Sequence, residues 1–452
     1  MPASTLIIPV ENQVRELDAK LLLAAVAAER GFPVVLGSRA FVHYALHRLP
    51  RGVYLAKSMR TLSDRVFGIC RDLGHEIVGF DEEALVHGPP KAYYARRLSA
   101  AAVRRVSQLL CWGPENAELF AGFPACDGIP LHSTGNPRTD LLRVELRDYF
   151  APEADRLRAQ YDPFVLFNSS FGVVNSFVPA LRETGTPDAV DAPGAFAAGR
   201  AAHRRVLLGH CEAMIPVLAD ALGDTLLVVR PHPAERRDTW EALARKHANV
   251  RVIAEGNVIQ WLMAARVTVH NGCTTGLEGA LLDRPVVAFM PVVSELYDDH
   301  LPNSLSHRAQ TLTELVDLVR AARDGRIGAY CGDDKRKIVE HYLEGLTGPL
   351  ASDRIVDVLA NAGYLEAPPR RSGAIAFARG WLHNIGRTGV KLVNRRRAGH
   401  RGAAAYHDHR FPAVTAADLQ ARIARMGGLL DRFERVHVRE HSPHLFDIVR
   451  RS

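Results

Sequence analysis

The chain has 452 residues, of which 47% are hydrophobic and 24% charged, and its formal net charge at pH 7 is +7. This composition is that of a folded protein, and the length leaves room for two or three domains. No run of 18 apolar residues is free of charges, so we expect no membrane-spanning helix. The N-terminus passes into an apolar run without a basic segment, so we expect no secretory signal and a cytoplasmic protein.

The positive charge is concentrated at the C-terminal end of the chain. Residues 370–452 carry 17 Lys and Arg against 6 Asp and Glu, a net charge of +11, which leaves −4 for residues 1–369. The six cysteines show no C-x-x-C spacing, which predicts buried thiols and neither a disulfide framework nor a zinc site.

Short β-branched runs alternate with longer helical runs over residues 6–142, which is the pattern of a parallel sheet covered by helices. A helix is predicted over Glu16–Arg30, because its apolar residues share one face and Gly31 can end it in a left-handed conformation. The predicted strands of this block are Leu6–Val10, Phe32–Leu36, Gly52–Ala56, Glu76–Phe80, Gln108–Trp112 and Leu131–Ser133.

A second alternating block follows a crossover that Asn136, Arg138 and Asp140 are expected to brace. Its predicted strands and helices are Phe164–Asn168, Gly199–Leu222, Thr225–Arg230, Arg237–His247, Val250–Ile253, Val267–His270, Gly276–Leu282 and Val286–Phe289. The sequence therefore predicts two Rossmann-like, doubly wound α/β domains, residues 1–150 and 151–364, facing a ligand cleft at the carboxyl ends of their strands. Residues 365–452 form a basic tail with two predicted amphipathic helices, Ala374–Arg397 and Ala416–Val438.

The segment Arg230-Pro231-His232-Pro233 ends a predicted strand with a cation and an imidazole. The two prolines fix the backbone, so Arg230 and His232 would lose little entropy on binding a phosphate at the carboxyl edge. A rigid strand exit with a solvated Arg and His explains the segment equally well.

A strand, a short polar turn and a helix start follow one another over residues 267–280. Backbone N–H groups of the turn that contains Asn271, the hydroxyls of Thr274 and Thr275, and the helix dipole would converge there on an anion. Glu278 could accept hydrogen bonds from ribose hydroxyls, although helix-start electrostatics also accounts for it. Ser169 and Ser170, at the end of an earlier predicted strand, could also contact the phosphate.

These motifs carry a resemblance to known families. The segments RPHPxE…W, from Arg230 to Trp240, and HNGCTTGLEGALLDRPVVAF, from His270 to Phe289, resemble the nucleotide-binding half of GT-B-fold enzymes of bacterial surface polysaccharide synthesis. Other segments resemble the surface carbohydrate biosynthesis protein family, which is similar to the Kdo transferases of capsule and O-antigen assembly and, more distantly, to sialyltransferases and polyglycerol-phosphate polymerases. The segments that resemble the surface carbohydrate biosynthesis protein family are Glu11–Gly37, Asp81–Val86, Thr134–Arg143 and Phe167–Asn175.

The resemblance covers about residues 5–345 and implies a GT-B-like fold. It also implies a glycosyltransferase that moves a sugar, such as the 2-keto sugar acid Kdo, from a CMP-linked donor to a lipid-linked or glycan acceptor. The donor would lie against His232, Thr274, Thr275 and Glu278. No D-x-D-like pair stands at a predicted strand end, so we expect no metal and no other cofactor. Asp298-Asp299 and His407-Asp408-His409 are interpreted as polar loops rather than metal ligands.

Catalytic groups are expected on the first domain. Asp81 and Glu82 follow the strand Glu76–Phe80, and either could be a general base or a nucleophile toward an anomeric carbon. Capping of the next helix explains them equally well. Glu16 could supply the base instead.

Groups for the acceptor or the sugar are expected at the exits of the first and third strands. Asn12 and Arg15 follow the first strand, and a cation is unfavourable at a helix start, which suggests a ligand for Arg15. Lys57 follows the third strand and would attract an anionic acceptor, unless it is simply solvated.

The basic tail has three interpretations: an anchor on the membrane surface, a nucleic-acid binder, or helices packed on the core. A lipid-linked acceptor favours the inner face of the cytoplasmic membrane, and no recognised motif supports nucleic acid. Two other functions stay open, a UDP-sugar epimerase of the same fold and a non-catalytic nucleotide-sugar or glycan-binding protein. The motifs of α/β-hydrolases, P-loop NTPases and dehydrogenases are missing from the sequence.

Overall fold

The computed structural model describes residues 3–177, 195–332, 334–397 and 403–451. Its strands, in chain order, are β1 Thr5–Val10, β2 Val34–Ser38, β3 Gly52–Ala56, β4 Glu76–Phe80, β5 Gln108–Cys111, β6 Leu131–Ser133, β7 Phe164–Asn168, β8 Leu226–Arg230, β9 Val250–Val252, β10 Val267–His270, β11 Val286–Phe289, β12 His307–Ala309, β13 Val436–Ser442 and β14 Leu445–Arg450. Its α-helices are α1 Gln13–Glu29, α2 Arg39–Ala45, α3 Thr61–Asp72, α4 Pro90–Arg97, α5 Ala100–Val103, α6 Pro114–Ala121, α7 Pro137–Asp140, α8 Ala151–Tyr161, α9 Ala195–Leu222, α10 Asp238–Ala244, α11 Val258–Ala264, α12 Thr274–Leu281, α13 His300–Ser304, α14 Leu312–Arg323, α15 Lys335–Tyr342, α16 Ala351–Asn361, α17 Ala374–Arg395, α18 Ala404–Arg410 and α19 Ala416–Leu430.

The chain folds into two compact units. Unit 1 comprises Met1–Leu85, Tyr93–Tyr149 and Val339–Ser452, and unit 2 comprises Val86–Ala92 and Phe150–Ile338. Among the described helices, none combines the length and the apolar character that crossing a bilayer requires.

Unit 1 is built on an eight-stranded sheet with the order β13-β14-β2-β1-β3-β4-β5-β6. The six strands from β2 to β6 are parallel. β1 and β3 are buried along their whole length, because helices cover both faces of a parallel sheet and its strands are continuous apolar runs. Helix α1 returns the chain from β1 to β2 and buries most of its residues, among them Leu21, Leu22 and Val26.

Unit 2 is built on a six-stranded, fully parallel sheet with the order β12-β11-β10-β7-β8-β9. Aromatic and aliphatic side chains of β7, α9 and α10, including Phe167, Ile215 and Trp240, form its buried core. The prediction of an α/β protein with two parallel Rossmann-like sheets is confirmed. The carboxyl ends of the strands carry the loops that were predicted to bind ligands.

The boundary predicted at residue 364 differs from the division of the structure. Residues 339–364 group with unit 1 instead of unit 2. Asp140 explains the difference, because its carboxylate accepts hydrogen bonds from the backbone N–H groups of Ala351 at 2.7 Å and Ser352 at 2.9 Å and so caps α16.

The tail, predicted to be helical, contains two strands as well as helices. The helix predicted to reach Val438 ends at Leu430, where Asp431 adopts a left-handed conformation with φ of 54°. The following residues form the hairpin β13–β14, which pairs antiparallel with β2. Gly37 permits this pairing, since a Cβ atom there would lie 2.1 Å from the carbonyl oxygen of His444.

Candidate functional site

Three loops meet at the carboxyl edge of the unit 2 sheet. They follow the neighbouring strands β10, β7 and β8, and we call residues 169–172, 231–235 and 271–275 the three-loop edge. The backbone N–H of Ser170 donates to Asn271 Oδ1 at 3.0 Å, and that of Phe171 donates to Glu235 Oε1 at 2.7 Å. The loop after β7 is therefore bonded to both of its neighbours.

Glu235 holds the three-loop edge together. Its Oε2 accepts hydrogen bonds from Ser169 Oγ at 2.8 Å and Trp240 Nε1 at 3.2 Å, and its Oε1 also accepts the N–H of His232 at 3.3 Å. Burial raises the pKa of Glu235, while these hydrogen bonds oppose the shift. The Ser169 hydroxyl, predicted to contact a phosphate, is thus donated to a protein carboxylate.

His232 is half-buried and its ring orientation is set by its own loop. Its Nδ1 accepts the backbone N–H of Ala234 at 3.1 Å. A neutral ring that accepts at Nδ1 carries its proton on Nε2, so His232 has an N–H donor on the far side of the ring. Gly172 faces the same ring, and a Cβ atom at this position would lie 3.6 Å from His232 Nδ1.

Arg230 occupies a place different from the predicted one. It is buried, and its Nη1 and Nη2 donate to the backbone carbonyls of Glu255, at 2.6 Å, and Gly256. Its guanidinium also lies over the Trp261 ring, 5.5 Å from the ring centroid. Burial lowers the pKa of Arg230 to about 10. These contacts make Arg230 a brace for the loop after β9 rather than a ligand for a phosphate.

The turn between β10 and α12 is packed onto a buried imidazole. His270 Nδ1 accepts the N–H of Gly272 at 3.0 Å, and His270 Nε2 lies 2.9 Å from Ser306 Oγ. Burial lowers the pKa of His270 to about 3, so the ring is neutral at physiological pH. A Cβ atom at Gly276 would lie 2.6 Å from His270 Nε2, which requires glycine in the first turn of α12.

A buried guanidinium fixes the same turn from the other side. Arg204 Nη1 donates to the carbonyl of Asn271 at 2.7 Å, and Arg204 is ion-paired with Asp299. Asp298 Oδ1 lies 2.8 Å from His203 Nε2. Asp298 and Asp299 were predicted to lie in a solvated loop, but Asp299 is buried. Its ion pairs with Arg200 and Arg204 of α9 compensate for the loss of water around its charge.

Asn271, Thr274, Thr275 and Glu278 lie on this turn and on the first two turns of α12. Asn271 is buried, and in the described part of the chain its Nδ2 has no hydrogen-bond partner. Thr274 and Thr275 are half-buried, and Glu278 is buried one turn further on. An unused amide donor beside the N-terminus of a helix is suited to an anion.

Asp81, predicted to be catalytic, is fully buried at the end of β4. Its Oδ2 accepts hydrogen bonds from Arg97 Nε at 3.0 Å and Tyr93 Oη at 2.8 Å, and Arg97 also contacts Oδ1. A buried carboxylate held by a guanidinium and a phenol has no exposed lone pair to take a proton from the hydroxyl of a sugar acceptor. Asp81 therefore ties the exit of β4 to α4.

Glu16 lies at the centre of a buried ion-pair network. Its carboxylate contacts Lys20 Nζ at 2.8 Å and Lys57 Nζ at 2.6 Å, and accepts the backbone N–H groups of Glu11 and Asn12. Burial alone would raise the pKa of Glu16, but the two lysines hold it well below the usual range. A carboxylate so stabilised is a weak base, which disfavours the predicted catalytic role.

Glu82 is buried beside Glu16 and shares Lys20 with it. Its Oε1 lies 3.2 Å from Lys20 Nζ. It lines a cavity of about 20 Å³ together with Glu16, Lys20, Asn136 and Arg138. A cavity of this size holds about one water molecule. Asn136 is buried, and its Nδ2 has no hydrogen-bond partner among the described residues.

The predicted acceptor groups lie around this network. Lys57 contacts both Glu16 and Glu11, the latter at 3.0 Å, so its charge is neutralised within the protein. Arg15 is partly exposed, 4.0 Å from Glu83. Asn12 is half-buried and precedes α1 without a side-chain capping bond. The structure thus brings Asn12, Glu16 and Lys57 together, and Arg15 lies at the solvent-exposed edge of this ion-pair network.

Sequence reasoning missed Lys20, Arg204 and Glu235 as site residues. Lys20 and Arg204 are charged residues within buried stretches of helices, which is a signal that each must have a buried partner. Within the described ranges, no group of three or more His, Cys, Asp or Glu side chains could hold a metal ion.

No protein-family model matches this chain, and no curated protein matches it. A structure of the wall teichoic acid polymerase TagF matches with a TM-score of 0.50 at 10% identity, over 80% of this chain and 89% of that chain. A TagF structure soaked with CDPG matches with a TM-score of 0.50 at 9% identity, over 81% and 89% of the two chains. A Listeria monocytogenes protein named as a UDP-N-acetylglucosamine 2-epimerase matches with a TM-score of 0.50 at 13% identity, over 81% and 99%.

These likenesses define the fold class. The chain is an α/β protein with two parallel Rossmann-like sheets and a GT-B-like fold, shared with TagF and with the epimerase. At 9–13% identity they show the fold alone.

Proposed function

We propose that this protein is a glycosyltransferase of bacterial surface polymer synthesis, which moves a sugar from a CMP-linked donor to a lipid-linked or glycan acceptor. The proposed sugar is a 2-keto sugar acid such as Kdo. Its acceptor class would place the protein at the inner face of the cytoplasmic membrane. The resemblance of the segments around His232 and His270 to surface carbohydrate enzymes supports this proposal.

The observation that carries the proposal is the three-loop edge of unit 2. It brings His232, whose Nδ1 accepts the N–H of Ala234, and the Asn271 Nδ2 group together on loops bonded to each other, beside the N-terminus of α12. Neutral donors and a helix N-terminus suit a phosphate whose leaving-group charge grows as the sugar departs. The soak of TagF with CDPG supports a cytidine nucleotide.

Glu82 is the proposed general base. It would take the proton from the acceptor hydroxyl as that oxygen bonds to the anomeric carbon, while the bond from that carbon to the phosphate oxygen breaks and CMP leaves. Asp81 is held by Arg97 and Glu16 by Lys20 and Lys57, whereas Glu82 shares Lys20 with Glu16 and has no second cation among the described ion pairs. We choose Glu82 among the three predicted carboxylates on this difference.

The proposal is tested by acceptor-dependent release of CMP from CMP-Kdo. We expect CMP release by the wild type and a rate of release at least 100-fold lower in Glu82→Gln. The variant should still bind nucleotide, which is measured as a rise in Tm on adding CMP. Glu83→Gln is the matched control, since it removes the same charge from an exposed neighbour. Unchanged release in Glu82→Gln would overturn the base assignment, and conversion of a UDP-sugar to its epimer would favour the epimerase.

A further inference from the structure

Helix α17 is amphipathic in an inverted sense. The positions Gly380, Asn384 and Arg387 recur at the spacing of one helix face, and Gly380 and Asn384 are buried against the rest of unit 1. Its large apolar side chains lie on the opposite face and are exposed. They are Ile375 at 86%, Leu382 at 62%, Ile385 at 39%, Val390 at 62%, Leu392 at 46% and Val393 at 55%.

The polar face is fixed to the protein by specific contacts. Arg379 Nε donates to Asp72 Oδ2 at 2.7 Å, and Asn384 Nδ2 lies 2.8 Å from His47 Nδ1. Gly380 allows the helix to approach α3, since a Cβ atom there would lie 2.7 Å from the Cβ of Asp72. The orientation of α17 is therefore set by its polar side, and its apolar side is directed away from the rest of unit 1.

The second tail helix, α19, shows the usual arrangement. Its apolar residues Leu419, Ile423 and Met426 are buried in unit 1. Of the two helices predicted to be amphipathic, one thus packs on the core and the other presents its apolar face outward. Exposed apolar stripes of this extent mark interaction surfaces.

Charge identifies what fits this face. Residues 374–395 contain four Lys and Arg and no Asp or Glu, but Arg379 is paired with Asp72 and Arg387 lies beside His43. The cations at the two ends of the helix, Arg370, Arg371, Arg396 and Arg397, therefore carry the charge next to the outer face. A second copy of the chain would bring these cations against one another. An anionic surface with an apolar interior complements both features of the helix.

We propose that the outer face of α17 docks onto a bilayer that contains anionic phospholipids. The helix lies in the plane of the interface, its 22 residues spanning roughly 33 Å. Trp381, which is exposed at the edge of the outer face and packs edge-on against His47, lies at the level of the headgroups, and the flanking arginines contact the lipid phosphates. This inference rests on the proposed function in one respect, the lipid-linked nature of the acceptor.

Co-sedimentation of the full chain with vesicles tests the proposal. We expect at least tenfold stronger binding to phosphatidylglycerol–phosphatidylethanolamine vesicles than to phosphatidylcholine vesicles, and loss of most of this difference in 1 M NaCl. The double variant Leu382→Glu with Ile385→Glu should bind at least tenfold more weakly. Leu62→Glu is the matched control, because Leu62 is an exposed leucine of unit 1 outside α17.

Three outcomes overturn the inference: equal binding to both vesicle types, unchanged binding by the double variant, or a wild-type dimer that the double variant converts to a monomer. Unfolding of the double variant is checked by its Tm, and Arg396→Gln with Arg397→Gln then serves as the second variant, with weaker vesicle binding expected. The nucleotide-induced rise in Tm without vesicles reports on the proposed function separately. Loss of vesicle binding with a retained nucleotide response therefore rejects only the docking surface.

Discussion

Ser169 Oγ donates a hydrogen bond to Glu235 Oε2 across 2.8 Å, and this bond joins the exits of β7 and β8 in unit 2. The same carboxylate accepts the backbone N–H groups of Phe171 and His232. Glu235 therefore positions His232 without being the group proposed to meet the donor.

Glu235→Gln tests this positioning role. The amide nitrogen cannot accept the hydrogen bonds that one carboxylate oxygen accepts, so a buried donor loses its partner at a cost of about 1–3 kcal/mol. We expect a lower Tm and at least tenfold weaker nucleotide affinity, measured by calorimetric titration. Glu241→Gln, an exposed change on α10, should alter neither. Wild-type affinity in Glu235→Gln would contradict the role.

Gly276→Ala tests the contact between α12 and His270. The added methyl group would overlap the imidazole, with 2.6 Å to Nε2, and must displace either the ring or the helix N-terminus. We expect destabilisation of about 1–3 kcal/mol in urea unfolding and a loss of nucleotide binding. The control is Gly209→Ala within α9, where the structure has no atom within 4 Å of the new Cβ. That change should be neutral or slightly stabilising.

Asp81→Asn distinguishes support from catalysis in unit 1. Removing the charge leaves the Arg97 guanidinium without its buried counter-ion, which is expected to cost about 3 kcal/mol in the free energy of unfolding. Urea unfolding of the variant, with the exposed Glu118→Gln as reference, measures this cost. A variant that keeps its stability but loses transfer would return Asp81 to the list of catalytic candidates.

Stability should fall in acid through Glu11. Burial raises its pKa, but Arg39, Lys57 and Arg410 lower it to about 2 from an ordinary 4.5. The folded state therefore favours the ionised form of Glu11 more than the unfolded state does. The contribution of Glu11 to the free energy of unfolding is complete above pH 4.5 and is lost as the pH falls toward 2. Glu11→Gln should lower Tm at pH 7 and reduce the fall of Tm between pH 5 and pH 3. An identical pH profile in the two proteins would contradict this.

Much of the sheet architecture was predictable from the sequence, because parallel strands covered on both faces are continuous apolar runs. The predicted strands Gly52–Ala56, Glu76–Phe80, Phe164–Asn168 and Val267–His270 agree with β3, β4, β7 and β10 at both ends. The pairing of β14 with β2 was not predictable, since it joins residues more than 400 positions apart.

The site was predictable as motifs but not as contacts. The segments around His232 and Asn271 were found because prolines, glycine and small polar residues follow strands. The contacts of Arg230 and Asp81 were not predictable, because their partners, the Glu255 carbonyl and Arg97, lie on other elements. Sequence spacing gives no information on which charged groups neutralise one another in the folded chain.

The most direct test of the proposed transferase is a thermal-shift titration with CMP, CDP, UDP and GDP at matched concentrations. A ligand that binds only the folded state raises its stability by RT ln(1 + [L]/Kd). We predict a rise in Tm with the cytidine nucleotides, CMP foremost, that disappears in His232→Ala. A rise with UDP alone, or no rise with any of the four nucleotides, would contradict a CMP-sugar transferase.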